Sequence, residues 1–171
     1  MVKIFDNVFS NPNYVFNNLL ESGDNWIGGQ VLPDDLYQGD ESDNYQFSNV
    51  MYNNMQPLTK EFNLVLDIIN NPKFKIVSLV KVKANLQPRT TEIVKSGFHI
   101  DCDYLHCTTA IYYANTCNGF TEFEDGTVVK SVENRFVTFP SSLRHTGTTC
   151  TDKTARVVVN FNYFTVNGNN I

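Results

Sequence analysis

The stretch ARVVVNFNYF, residues 155–164, alternates like a β-strand and has two faces of different character. One face is apolar and consists of Val157, Val159, Phe161 and Tyr163. The other face is mixed and consists of Arg156, Val158, Asn160, Asn162 and Phe164. Two interpretations of the mixed face are open: an exposed sheet surface, or the wet interior of a small barrel that holds a ligand. The strand pattern itself favours neither.

Similar segments, rich in Val, Ile, Phe, Tyr and Thr, recur along the chain from residue 75 onward. They are separated by the turn-rich pieces QPRT, NTCNG, EDG, PSS and TCTDKT, which predicts about seven or eight short strands. Together with two predicted helices nearer the N-terminus, these strands indicate the α+β class, mainly β, built as an antiparallel sandwich or barrel.

The N-terminal part is predicted to begin with a short strand at residues 4–9. A helix is predicted over residues 11–22 with Ser10 as its N-cap, and a second helix from about residue 58 to 69. Between the helices, residues 23–53 are rich in Gly, Asp and Asn, which predicts a loop or a pair of irregular strands.

Composition bounds the class of protein. A chain of 171 residues suits one domain, and 42% hydrophobic residues with 13 Phe supply a core. The net charge of −5 and the scattered Lys and Arg argue against a nucleic-acid partner. No apolar run approaches the roughly twenty residues of a membrane span, and MVKIFDNVF lacks the apolar block of a secretory signal. We therefore expect a cytoplasmic protein without a membrane partner, and the sequence leaves the oligomeric state open.

Four cysteines allow two further hypotheses. Cys102, Cys107, Cys117 and Cys150 could form two disulfides, but without a secretory signal we expect them to be reduced. Three of them lie within sixteen residues together with His106 and could hold zinc. Their spacing has no Cys-x-x-Cys step of the kind that grips one tetrahedral ion, which disfavours the zinc interpretation.

The segment GFHIDCDYLH, residues 97–106, contains a His-x-Asp pair. On a strand, His99 and Asp101 project from the same face and can bind adjacent positions of one metal ion. A histidine from a distant strand would complete a 2-His-1-carboxylate triad, the ligand set of non-haem Fe(II) oxygenases. Alone the pair is a weak signal, because it occurs often by chance and because a hydrogen-bonded histidine on a half-buried strand explains it equally well.

His145 and Arg156 strengthen the metal interpretation. His145 lies in FVTFPSSLRHTGTT, after a strand that ends at Pro140 and a turn, which suits a side chain at the mouth of a barrel. Arg156 lies on the mixed face, and an inward-facing guanidinium requires an anion. That anion could be an internal Asp or Glu, or the distal carboxylate of a dicarboxylic co-substrate, with the Tyr113 hydroxyl as a second donor.

These features belong to an ordered series over residues 76–164. The series runs HID (99–101), IYYAN (111–115), NGFTEF (118–123), FVTFP (136–140), His145, and Arg156 leading into NFNYF (160–164). In this order the pieces resemble the Fe(II)/2-oxoglutarate-dependent dioxygenases, in particular the prolyl-4-hydroxylase-like group.

The resemblance implies a set of site residues. It implies three iron ligands, which are His99, Asp101 and His145. It implies that Arg156 binds the C5 carboxylate of 2-oxoglutarate, with Tyr113 as a hydrogen-bond donor and Thr109 as a neighbour. The remaining candidates of the His-x-Asp segment, Asp103 and His106, are expected to be non-ligating.

The resemblance also implies a fold and an activity. The fold is a double-stranded β-helix, a cupin-like jelly roll at residues 75–166, supported by helices and an irregular loop in residues 1–74 of one domain. The activity is hydroxylation of an unactivated C–H bond with Fe(II), 2-oxoglutarate and O2, releasing succinate and CO2, with ascorbate as reductant. The implied substrate is a prolyl residue in a peptide or protein.

Several alternatives stay open on the sequence. The substrate could be a free amino acid or another small molecule, and a non-oxygenase metal-binding cupin or a silent binding module could share the fold. Residues 23–53, with Trp26, Tyr37 and Tyr45, and residues 87–96 could form a lid over the iron, or could be ordinary packing.

Overall fold

Strands dominate the part of the chain that this computed structural model describes, residues 1–31 and 44–166. In chain order the elements are β1 (Lys3–Asp6), α1 (Pro12–Leu20), β2 (Ile27–Gln30), β3 (Tyr45–Asn53), β4 (Gln56–Pro57), α2 (Leu66–Ile69), β5 (Ile76–Pro88), β6 (Thr108–Tyr113), β7 (Phe120–Phe123), β8 (Val128–Lys130), β9 (Arg135–Pro140), β10 (His145–Gly147) and β11 (Ala155–Thr165). Short 3₁₀ helices occupy Gly23–Asn25 and Lys60–Val65. The predicted mainly-β class is confirmed.

The strands form a large and a small antiparallel sheet. The large sheet has the order β1-β9-β6-β11-β5-β3-β2, with β4 added beside β3, and the small sheet has the order β10-β7-β8. Apolar residues of both sheets share one buried cluster, which contains Ile111, Tyr113, Phe123, Val129, Val137, Phe139 and Val158. The small sheet therefore packs on one face of the large sheet, an arrangement that fits the expected jelly roll.

The two faces of β11 lie in different surroundings. Its apolar face belongs to the main core, in which Val157, Val159, Phe161 and Tyr163 are all buried. That core also contains Val15 and Leu19 of α1, so it lies on the helical side of the large sheet. The mixed face is directed between the two sheets, where Arg156, Val158 and Asn160 line a cavity. Of the two interpretations of the mixed face, the ligand-sized interior describes the structure.

The N-terminal segment contributes to the same large sheet. β1 pairs with β9, and β3 pairs with β5, so strands from the first half of the sequence extend the sheet on both sides. The predicted strand at residues 4–9 is shorter than expected and ends at Asp6. Within the described ranges, no helix is long and apolar enough to span a bilayer.

The start of α1 corrects the predicted N-cap. Asn11 caps this helix, because its side-chain oxygen accepts a hydrogen bond from the Tyr14 amide at 3.2 Å. Pro12, whose φ is already helical and which has no N–H to satisfy, occupies the first helical position. The predicted N-cap, Ser10, therefore lies one residue before the observed N-cap.

The predicted second helix is mostly a 3₁₀ helix, followed by the single α-helical turn of α2. In a 3₁₀ helix, side chains three residues apart line up, which turns Phe62 and Val65 toward the core, and Ile68 of α2 joins them there. Glu61 is buried in the same helix and accepts a hydrogen bond from the Asn25 side chain at 2.9 Å.

Part of the predicted lid packs as ordinary structure. The Trp26 indole donates to the Leu19 carbonyl at 2.9 Å and packs against the main core. Tyr45 begins β3, and its ring meets Phe47 edge-on. Tyr37 lies outside the described residues.

Candidate metal centre and anion pocket

The two imidazoles and the carboxylate of the predicted triad meet at one point. The His99 Nε2 atom lies 3.5 Å from Asp101 Oδ1, and the His145 Nε2 atom lies 3.6 Å from Asp101 Oδ2. One ligand atom from each of the three residues lies within 4.8 Å of the others. Both nitrogen–oxygen gaps exceed the usual length of a direct N–H···O hydrogen bond. The cluster has the donor atoms and the spacing of an ion-binding site.

A backbone bridge brings the two histidines together. The His99 amide donates to the His145 carbonyl at 2.9 Å, and the His145 amide donates back at 3.0 Å. Residues paired directly in this way have side chains on the same face. The predicted strand around His99 is reduced to this isolated bridge, and the chain bends at Asp101. The bend lets the carboxylate reach both imidazoles.

The hydrogen bonds of the rings fix which nitrogen is available. His99 Nδ1 lies 3.0 Å from the Gly97 carbonyl, and His145 Nδ1 lies 3.4 Å from the Leu143 carbonyl. A carbonyl only accepts, so Nδ1 carries the proton in each neutral ring and Nε2 presents its lone pair. Outer hydrogen bonds of this kind orient metal-binding histidines.

Asp101 is held in its charged form. Burial raises the pKa of its carboxyl, but the contacts with His145 and His99 outweigh burial, so the pKa lies well below its ordinary value. Burial lowers the pKa of His99, but the nearby Asp101 carboxylate and the Gly97 carbonyl outweigh burial, so the pKa lies above its ordinary value. The Asn160 side-chain amide donates to Asp101 Oδ2 at 3.3 Å and steadies the carboxylate.

Arg156 lies in the same cavity with 3% of its surface exposed. Its guanidinium donates to Ser131 Oγ at 2.7 Å, to Gln87 Oε1 at 3.1 Å and to Thr121 Oγ1 at 3.1 Å. All three acceptors are neutral. Among residues 1–31 and 44–166, no carboxylate forms an ion pair with Arg156. Of the two anions considered for this arginine, the described residues do not supply the internal one.

Tyr113 belongs to the Arg156 cluster. Its hydroxyl donates to Thr121 Oγ1 at 2.9 Å, and its ring lies beneath the guanidinium, with Cζ of Arg156 5.6 Å from the ring centroid. Thr109 lies farther along the same strand, where its hydroxyl accepts from Asn162 at 3.0 Å, and it is not among the residues that line the cavity. Roles for Tyr113 and Thr109 in binding a co-substrate stay predictions.

One cavity connects the triad with the arginine. Its volume is about 120 Å³, where a single water needs roughly 10–15 Å³. Polar groups line most of it, and Ile111 and Val158 supply an apolar wall. The buried side-chain oxygens of Asn85 and Asn160 have no hydrogen-bond partner among the described residues. Such atoms are usually satisfied by a bound molecule or by water.

Sequence reasoning missed the residues that support the site. The strand alternation places Asn160 on the mixed face together with Arg156 but assigns it no role. Gln87 lies directly opposite Arg156 in the pairing of β5 with β11, and it also donates to Ser96 at 3.1 Å. Face parity could have flagged Asn160, but only the register between strands identifies Gln87.

The other candidates of the His-x-Asp segment stay apart from the triad. Asp103 and His106 are exposed, and His106 lies in a turn with φ 64°. The four residues considered for zinc do not gather into one metal-binding group within the described part of the chain.

Comparison with known proteins identifies the fold. No protein-family model matches the sequence, and a search of curated proteins finds no match. Among solved structures, a 2OG-Fe(II) oxygenase family oxidoreductase from Burkholderia pseudomallei is similar over 99% of this chain and 87% of its own, with TM-score 0.67 and 12% identity. A prolyl hydroxylase of Trichoplax adhaerens, in complex with a hypoxia inducible factor peptide fragment, is similar over 95% and 83%, with TM-score 0.61 and 16% identity.

A third similar structure is the epimerase SnoN in complex with Fe3+, alpha ketoglutarate and nogalamycin RO, with TM-score 0.63, 10% identity and coverage of 96% and 78%. All three structures share less than a fifth of their sequence with this chain, so the likeness concerns the fold. The resemblance found in the sequence is confirmed at that level: the chain has the fold of the prolyl hydroxylases and other 2-oxoglutarate- and Fe(II)-dependent oxygenases.

Proposed function

We propose that this protein is an Fe(II)- and 2-oxoglutarate-dependent dioxygenase with the jelly-roll core expected for that activity. His99, Asp101 and His145 would hold the iron, and Arg156 would bind the co-substrate. One observation carries the proposal: a buried guanidinium without an anionic partner among the described residues shares a cavity with two histidines and a carboxylate.

The donor set fits Fe(II). Two neutral imidazole nitrogens and one ionised carboxylate match the facial triad of non-haem iron oxygenases, which leaves coordination positions for other ligands. The triad contributes a single negative charge from Asp101, so a divalent cation remains attractive to an anionic co-substrate. Asn160 and the backbone carbonyls behind both rings keep the donors in place.

The arginine fits a dicarboxylate. A guanidinium has five N–H donors, and Ser131, Gln87 and Thr121 accept three of them. The remaining two suit a carboxylate, which would neutralise the buried charge. The neutral acceptors orient the guanidinium and leave its charge uncompensated, as an anion-binding group requires.

The chain's own residues prepare the reaction. When bound, Fe(II) and 2-oxoglutarate supply the O2-dependent hydroxylation of a C–H bond, with succinate and CO2 as products and ascorbate as supporting reductant. Arg156 fixes the distal end of the co-substrate, and Tyr113 and Thr121 hold Arg156. Ile111 and Val158 keep one wall of the cavity apolar and limit access of water.

For the substrate we propose a prolyl residue in a peptide or protein, in a cytoplasmic setting. The support is the ordered series of motifs and the likeness of fold to the Trichoplax prolyl hydroxylase, which was solved with a peptide. A small anionic molecule is a second candidate because of Lys83. This lysine is partly buried and lines the cavity; burial lowers its pKa, and the charge of Asp101 works in the opposite direction.

An anaerobic titration tests the metal and co-substrate sites together. Fe(II) and 2-oxoglutarate should produce a weak visible charge-transfer band that requires both components. His145→Ala should abolish the band and, once air is admitted, succinate release. His106→Asn is the matched control, because this exposed histidine lies outside the triad and asparagine tolerates its positive φ. A non-oxygenase metal protein would bind iron without the band, and such a result would refute the proposal.

A product screen tests the substrate. Proline-containing peptides and free amino or dicarboxylic acids would be incubated with enzyme, Fe(II), 2-oxoglutarate and ascorbate, and searched by mass spectrometry for one added oxygen atom. Oxidation of peptides alone supports the prolyl proposal. Oxidation of small acids alone, lost in Lys83→Met, replaces it with the second candidate.

A further inference from the structure

The four cysteines are arranged as two pairs. The sulfurs of Cys117 and Cys150 lie within 4.8 Å of each other, and the thiol of Cys102 is near enough to influence that of Cys107 electrostatically. All four are free and buried. The first pair matters most here, because it lies beside Arg156.

Hydrogen bonds clamp together the two loops that carry this pair. The Asn118 side chain donates to Thr151 Oγ1 at 2.6 Å and accepts from the Thr151 amide at 2.9 Å. The Asn118 amide donates to Asp152 Oδ1 at 2.9 Å. These contacts hold the residue after Cys117 against the residues after Cys150, which fixes the two thiols next to each other.

The loop of Cys117 packs directly on the arginine. A Cβ added to Gly119 would lie 2.6 Å from the Thr149 carbonyl oxygen and 2.7 Å from Cδ of Arg156. The loop therefore has no spare room between the backbone beside Cys150 and the aliphatic part of Arg156. Both thiols are also close enough to affect the guanidinium electrostatically.

We propose that Cys117 and Cys150 form a reversible disulfide by exchange with a small-molecule disulfide, and that this bond weakens 2-oxoglutarate binding by displacing Arg156. The first half is independent of the catalytic assignment, and the second half rests on the proposed function. Closing the bond brings the sulfurs to about 2.05 Å. Any shift of the clamped loops that accompanies closure reaches Arg156 through the tight contact at Gly119.

The exchange proceeds in two balanced steps. The thiolate of Cys117, which is 7% exposed against 0% for Cys150, attacks the small disulfide and releases one thiol. The thiolate of Cys150 then attacks the sulfur of Cys117 and releases the second thiol. The protein loses two protons and two electrons, and the small disulfide gains them. Burial raises the pKa of the Cys150 thiol to about 11, so cross-linking should be faster at higher pH.

A metal ion is the competing use of the same side chains. Cys117, Cys150 and the carboxylate of Asp152 together could bind one ion. Two observations favour the disulfide. One carboxylate oxygen of Asp152 already accepts the Asn118 amide, and Cys102 and Cys107 form a similar pair that belongs to no metal-binding group among the described residues.

Glutathione disulfide, titrated against glutathione, tests the bond itself. Peptide mapping of wild-type protein should show a Cys117–Cys150 cross-link that dithiothreitol reverses. Cys107→Ser, which removes a member of the other pair, should retain it, and Cys117→Ser should lose it. If both thiols stay free at redox ratios that oxidise Cys102 and Cys107, or if Zn2+ alone protects Cys117 and Cys150 from alkylation, the proposal is overturned.

Linkage to the co-substrate tests the second half. Oxidation of the Cys107→Ser protein should weaken 2-oxoglutarate binding about fivefold or more, and saturating 2-oxoglutarate should disfavour the cross-link by the same factor. The Cys107→Ser/Cys117→Ser protein should show neither effect. Unchanged 2-oxoglutarate affinity on oxidation refutes the coupling. If reduced protein also fails to bind 2-oxoglutarate while the cross-link forms, the proposed function fails and the disulfide site stands.

Discussion

The two faces of β11 share one backbone and serve opposite purposes. On the helical side, Val159 and Phe161 are 0% exposed and pack among other apolar side chains. On the side of the small sheet, Arg156 and Asn160 line a cavity and direct polar groups toward the triad or toward an open space. The first face is covered by apolar side chains of the protein. The second contains a buried charge and unpaired side-chain oxygens, which require bound partners.

The difference shows where stability and function reside in this fold. Apolar burial on one face holds the sheet, and this allows the other face to keep a buried guanidinium that contributes little to folding. Substitutions on the apolar face should therefore lower stability. Substitutions on the cavity face should mainly change ligand binding.

The largest expected effect is on the apolar face. Phe161→Ala should lower the free energy of unfolding by about 3–5 kcal/mol, because Phe161 is fully buried and meets the Phe136 ring edge-on. Urea denaturation monitored by circular dichroism measures this free energy. Phe164→Ala is the matched control: the same residue type on the same strand, on the opposite face and only partly buried. Equal losses of unfolding free energy in the two variants would show that the two faces of β11 do not differ in their contribution to stability.

On the cavity face, Arg156→Gln should weaken 2-oxoglutarate binding by about 1.5–3 kcal/mol or more, the value of a single charge-assisted hydrogen bond. Anaerobic calorimetric titration measures the affinity. Arg156→Lys should weaken 2-oxoglutarate binding less, because lysine keeps the positive charge but lacks the planar guanidinium with its paired donors. An unchanged affinity in Arg156→Gln would mean that the guanidinium does not bind the co-substrate.

A smaller effect is expected where the cavity face meets the proposed iron ligands. Asn160→Ala should lower Fe(II) affinity by about tenfold, because it removes the amide that steadies Asp101. Asn162→Ala is the control on the same face: its amide donates to Thr109 at 3.0 Å and is not bonded to the triad. Competition with a fluorescent metal chelator measures both affinities. A similar loss in both variants would indicate a general disturbance of β11.

Sequence patterns predicted features that depend on side-chain order along one segment. The alternation in residues 155–164 predicted both faces of β11, and the His-x-Asp spacing placed two triad members on one side. The patterns did not decide whether the mixed face was wet surface or cavity, because that depends on the small sheet packing above it.

Features that depend on strand register, or on the choice between two similar local structures, were harder to predict. Gln87 meets Arg156 only because β5 pairs with β11 in one particular register. The N-cap was assigned to Ser10 rather than Asn11, because both residue types cap helices and only the geometry at Pro12 decides between them. The helical period at residues 58–69 predicted one α-helix, whereas the chain forms a 3₁₀ helix before the α-helical turn of α2. Periodicity did not distinguish the two, because the repeats of 3.0 and 3.6 residues differ little over so short a segment.

The smallest expected effect is at the rim of the large sheet, away from both faces of β11. Arg135 donates to both carboxylate oxygens of Asp6, at 2.7 and 3.1 Å, across the pairing of β1 with β9. The hydrogen bond from Arg135 holds the pKa of Asp6 below its ordinary value. The pair therefore stabilises the fold above the unfolded-state pKa of about 4, and this stabilisation is lost as pH falls through the lower folded-state pKa.

Because the Asp6 side chain is 50% exposed, Asp6→Asn should lower the free energy of unfolding by less than about 1 kcal/mol at pH 7. Thermal unfolding of both proteins should show that difference at neutral pH, and the difference should shrink as pH falls through the lowered folded-state pKa of Asp6. A loss at pH 7 as large as that of Phe161→Ala would contradict the view that buried apolar contacts, rather than surface charge, hold the sheet.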